Sequence, residues 1–202
     1  MRRPSTGVAC AHVLDAYRGR LTQCLQAWKV NDFSQVKTNL IRLGGLAAIL
    51  AGILRGLSSV LPTPSGRIMT LYLVIDVLLL VSSIGLFEFQ LVKAGAIGTL
   101  AFLLQILGAL ILIARDLAIL GASVYPVGGL IFAVGLDLFV IASWRSKTLP
   151  RWILILLVLS TVIGPIGFFS PGLAVLFTAS GILFGIGFAS AGLAICLPRH
   201  QR

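Results

Sequence analysis

Six stretches of apolar residues, each about long enough to cross a bilayer, leave this chain few ways to fold. Some 20 apolar residues in a helix match a hydrocarbon layer of ~30 Å. The runs near 41–61, 68–88, 94–114, 122–144, 152–169 and 171–196 meet that requirement. Only 11% of the 202 residues are charged and 58% are hydrophobic, against roughly 25% charged in a soluble domain. Lipid gives the backbone no hydrogen-bond partner, and the runs lack the two-residue alternation of a barrel strand, so they are predicted to be helices. The expected fold is an all-α bundle of six transmembrane helices over 39–202, preceded by an N-terminal segment over 1–38.

The breaks between runs are turn chemistry: Pro62-Thr63-Pro64-Ser65-Gly66-Arg67 after the first, and Arg145-Ser146-Lys147-Thr148-Leu149-Pro150-Arg151 after the fourth. Charge orients them. Of the 16 Lys and Arg, all but Arg55, Arg67 and Arg115 fall on the side of the two termini. By the positive-inside rule both termini are expected in the cytoplasm, with the protein in the cytoplasmic (inner) membrane. The net charge of +10 then belongs to topology and anionic headgroups, and nucleic acid is not an expected partner. Cys10, Cys24 and Cys196 fall on the same side, where thiols stay reduced.

Residues 7–29 differ from the spans. Cys10, Val13, Leu14, Tyr17, Leu21, Cys24, Leu25 and Trp28 recur at steps of three and four, an amphipathic helix pattern. It reads as a helix resting on the inner leaflet or as a docking element; a translation start further downstream is a third reading. Arg2-Arg3 followed by Pro4-Ser5-Thr6-Gly7 is not a signal-peptide start.

Gly44, Ala48, Gly52 and Gly56 stack as one small-residue stripe on the first span, and Gly181, Gly185 and Ala189 do so on the sixth. Such stripes are helix-packing features, within the chain or toward a protein partner or a second copy; a substrate groove lined by backbone is the alternative. Gly44-Gly45-Leu46 and Gly128-Gly129-Leu130 open spans one and four alike, a short match between halves that would be inverted repeats.

Ionisable groups inside lipid need a partner, a wet cavity or a function. Arg55 and Asp76 lie about 9 Å and 12 Å from the same surface on consecutive antiparallel helices, and an ion pair between them is expected, as a staple or as a substrate-handling pair. Arg55 snorkelling outward is the alternative. Asp137 lies about 10 Å from the opposite surface with no Lys or Arg predicted at its depth. It reads as a protonated structural acid bonded to Ser82, Ser83, Ser160, Thr161 or Ser190, or as a proton or cation site. Glu88, Lys93, Arg115 and Asp116 read as solvated interface charges. Gln105, near the middle of span three, is expected to bond a neighbouring helix.

His12 and His200 both lie outside the spans, so no intramembrane Ser-His dyad, bis-His haem or His-based zinc site is expected. Gly135-Leu136-Asp137 lacks the Gly-x-Gly-Asp pattern of aspartyl membrane proteases, and Lys93 and Lys147 are in breaks. No phosphate-cradling glycine loop appears. Neither enzyme activity, nor a cofactor, nor a bound metal is expected.

Arg42-Leu43-Gly44-Gly45-Leu46, Ile75-Asp76 and Leu149-Pro150-Arg151-Trp152 stand at the corresponding span positions of a chain that resembles a broad family of small multi-spanning bacterial membrane proteins of unknown function. The resemblance covers roughly 39–197 and implies a helical membrane bundle without catalytic residues. Two functions are expected on this footing: a structural or accessory membrane component, or a small transporter or channel using Asp137 and Asp76.

Overall fold

The structure is a computed structural model that describes residues 35–60 and 65–197; the amphipathic segment at 7–29 lies outside them. Backbone contacts divide the chain into Met1–Asn39 and Leu40–Arg202, and the bundle belongs to the second unit. Among the described residues six helices are long and apolar enough to cross a membrane: α1 Gln35–Val60, α2 Met69–Gln90, α3 Gly95–Asp116, α4 Tyr125–Ser146, α5 Arg151–Phe169 and α6 Ala174–Cys196. No strand occurs among the described residues.

Each helix begins or ends where its sequence obliges it to. Short 3-10 turns, Ala122–Val124 and Pro171–Leu173, precede α4 and α6. These helices therefore start three residues later than the apolar runs that announce them. Pro126 sits in the first turn of α4, where its missing N–H leaves nothing unpaired. Between α2 and α3 the chain turns back with one non-helical residue, Gly95, at φ 57 and ψ −156, a backbone region that is essentially open only to glycine.

Consecutive helices are antiparallel. Phe87 stacks on Phe102 across α2 and α3 at 4.2 Å, Arg151 lies over Trp144 across α4 and α5, and Gly167 meets Phe177 across α5 and α6. The last helix returns to the first. A Cβ on Gly45 would meet Gly192 and Cys196, one on Gly52 would meet Gly185 and Ala189, and one on Gly181 would meet Ser59. Ascending positions on α1 thus meet descending ones on α6, so this seam is antiparallel too.

The small-residue stripe of α1 serves two neighbours. Gly44 faces α2, where a Cβ would fall 2.5 Å from the Cα of Gly85. Gly45, one residue on and about 100° around the helix, faces α6 together with Ala48 and Gly52. Gly44, Ala48, Gly52, Gly181 and Gly185 are all buried. The stripes are taken up largely by packing inside the chain, apart from Gly56, where a Cβ would meet nothing within 4 Å. On the far side of α1, Leu43, Leu46, Leu50, Ile53 and Leu57 are exposed, as a lipid-facing surface should be. Ile75, Leu86, Leu136, Leu154, Leu157 and Phe188 fill the interior.

Candidate functional site

The polar side chains that the bundle encloses fall into three groups. Nearest the termini-side ends of the helices, the Gln90 side-chain amide on α2 donates to the Ser143 hydroxyl on α4. At mid-depth the Ser83 hydroxyl donates to Gln105 Oε1 at 3.0 Å, and Gln105 Nε2 donates to the Gly135 carbonyl at 3.3 Å. Gln105 is thereby the bridge between neighbouring helices that its position suggests. It joins α2, α3 and α4 with both ends of its amide used, as a buried amide must to avoid a desolvation penalty.

The third group lies toward the opposite end of the bundle and borders a cavity of about 380 Å³. Arg55 of α1, Tyr72 and Asp76 of α2 and Tyr125 of α4 line one part of it; Ser160, Thr161 and Ser180 add hydroxyls; the remainder is largely aromatic and aliphatic, with Phe132, Phe168, Phe177 and Phe184 among the lining side chains. Volume and composition match a small-molecule site, which is concave, mostly apolar and carries a few placed polar groups.

Arg55 and Asp76 both line this cavity, but they are not in ion contact. Arg115 and Asp116 are in ion contact, at 2.5 Å. The Arg55 guanidinium instead lies over the Tyr72 ring, 5.4 Å from its centre, and beside Tyr125. Asp76 is buried; its carboxyl lies in hydrogen-bond reach of that of Asp116, with Arg55 and Arg115 within electrostatic reach. In place of the expected ion contact stand a cation on an aromatic face and a carboxyl against a second carboxyl. Cation–π contact can hold an arginine in a low-dielectric site without a counter-ion.

Asp116 is not a solvated interface charge, and Arg115 is only partly exposed. The Asp116 side chain is 1% exposed, and its second oxygen has no hydrogen-bond partner. Arg115 reaches over the Tyr125 ring at 4.9 Å. Tyr125 therefore stands between the two arginines, one bearing on its ring and the other beside it. Adjacency to a loop made the Arg115-Asp116 pair look exposed; the turn after α3 folds the carboxylate inward.

Asp137 is half-buried on α4 and accepts from the Thr161 hydroxyl of α5 at 2.7 Å. Of the other hydroxyls expected near it, Ser82 and Ser160 bond carbonyls of their own helices and Ser83 bonds Gln105. Thr161 also reaches the Val158 carbonyl at 2.9 Å. Asp137 does not line the cavity, whereas Thr161 does, so the acid stands one side chain behind the wall.

Tyr72, Tyr125, Gln90 and Ser143 are parts of this architecture that sequence reading passed over. Tyrosines near span ends normally read as interface anchors, and only their convergence on Arg55 distinguishes them. Among the described residues no group of three or more His, Cys, Asp or Glu side chains could hold a metal ion. No family model, curated protein or solved structure matches the chain.

Proposed function

We propose that this chain is a small-molecule carrier of the cytoplasmic membrane, with both termini on the cytoplasmic side and the cavity bordered by Arg55 and Asp76 as its binding site. The reading rests on one observation: a bundle whose other helix seams are packed to backbone contact retains about 380 Å³ of space, and that space has charged and hydroxyl groups in its wall. A purely structural or accessory component has no need of an open space with an arginine held on aromatic rings and a buried carboxyl in its wall, since each ionisable group in lipid is expensive. The role is binding and passage, not bond chemistry. With the termini inside, the cavity occupies the outer half of the bilayer, and Asp137, held by Thr161 behind its wall, is placed to exchange a proton as the occupant moves inward.

Gly129 offers a clean test. It lines the cavity, and a Cβ built there meets nothing within 4 Å, so Gly129→Phe should fill the space without disturbing helix packing. The protein reconstituted in nanodiscs from its native membrane should carry a stoichiometric small molecule detectable by mass spectrometry, and Gly129→Phe should lack it at unchanged melting temperature. Identical content in the two proteins, or none in the wild type, would defeat the proposal. Fusions of cytoplasmic and periplasmic reporters to the C-terminus test the orientation separately.

A further inference from the structure

The chemistry of the cavity wall says more about its occupant than that it is small. This step rests on the carrier reading above and concerns what the site selects. Its walls carry charge at one end only, where Arg55 and Asp76 do not contact one another, with the Tyr72 ring under Arg55 and Tyr125 beside it. Nearby, Arg115 pairs with Asp116, whose carboxyl also lies in hydrogen-bond reach of that of Asp76, so two carboxyls share one arginine and Asp76 has no cation of its own. An anion alone would satisfy Arg55 but face Asp76; a cation alone would do the reverse. A head carrying both signs satisfies both and replaces the missing ion contact between them.

The rest of the wall points to a lipid-borne molecule. Val127, Leu130, Phe168 and Phe169 line the cavity and are also exposed on the helix surface, so the cavity is continuous with the face that meets acyl chains. Contact between α4 and α5, which carry these residues, is sparser than between α5 and α6. Gly129 leaves open space on α4, and Pro165 interrupts the backbone ladder of α5. We infer that the site binds a single-chain zwitterionic amphiphile, its anionic group at Arg55 and Tyr125, its ammonium at Asp76, and its chain among the aromatic side chains, entering from the bilayer between α4 and α5.

Four probes sharing one chain separate the terms: dodecylphosphocholine, dodecanoate, dodecyltrimethylammonium and dodecanol. Each is titrated, below its micelle concentration, into the full chain in nanodiscs, with Phe168→Trp as a fluorescence reporter and an ω-brominated chain as quencher. Unbrominated probe is the competitor that distinguishes a saturable site from partition into lipid. The zwitterion should bind at least about tenfold more tightly than dodecanol, with the two singly charged probes between them. Arg55→Gln should reduce the zwitterion to the level of the cation, and Asp76→Asn to that of the anion; Arg55→Lys should retain most of the preference, which guards against a merely misfolded variant. Equal binding of all four probes, or dodecanoate binding as well as the zwitterion with no effect of Asp76→Asn, would overturn the headgroup assignment while leaving the carrier reading intact. No competable quenching by any probe would defeat both.

Discussion

The seam between α1 and α6 and the region between α4 and α5 are built from similar residues to opposite ends. Along the first, glycines face backbone: Gly52 meets the Gly185 carbonyl and Gly192 that of Gly45. Along the second, Gly129 faces open space and Pro165 stands where a backbone donor would be. A glycine in a membrane helix therefore has two meanings, close approach or a vacancy, and the residue across from it decides which. Lipid supplies no hydrophobic force to pull helices together, so dispersion contacts at close range hold the first seam, and their scarcity leaves the second able to open.

Five substitutions test that contrast, from the largest expected effect downward. Gly52→Leu places a side chain where α6 has backbone and should destabilise the protein by more than about 3 kcal/mol, seen as loss of the folded species in titration with a denaturing detergent. Asp116→Ala, at the charged end of the cavity, removes the partner of a partly buried arginine and should lower stability by about 2 kcal/mol; an unchanged melting temperature would mean that Arg115 is hydrated there. Thr161→Val deletes the bond from α5 to Asp137 and should cost about 1 kcal/mol, and Asp137→Asn, which keeps a donor and an acceptor, should cost less by the same assay. Gly129→Ala, with space around it and a better helix former in place, should change stability by no more than about 0.5 kcal/mol and in the favourable direction. If Gly129→Ala proved as damaging as the equivalent change at Gly52, the two regions would not differ in packing.

How much of this was readable beforehand follows the same division. The spans were legible because each is imposed by bilayer thickness, a local property of one run. The starts of α4 and α6 slipped, where Ala122–Val124 and Pro171–Leu173 form 3-10 turns from residues as apolar as those of the helices, and α1 begins at Gln35, ahead of the apolar run at 41. The stripe on α1 was visible as a repeat, but not its division between two neighbours, since that depends on the angle between Gly44 and Gly45 and on which helices lie there. Arg55 and Asp76 were placed at one depth from counting residues. Their separation was not, because it is set by Tyr72 and Tyr125 competing for the guanidinium. A cavity is the least legible feature, being a property of six helices together.

The turn at Gly95 bears on how the protein is made. Gly95 alone breaks the helical backbone where α2 passes into α3, so the two are expected to insert together, as a hairpin whose Phe87–Phe102 stack and Ser83–Gln105 bond need no other helix. To that polar bridge α4 adds only the Gly135 carbonyl.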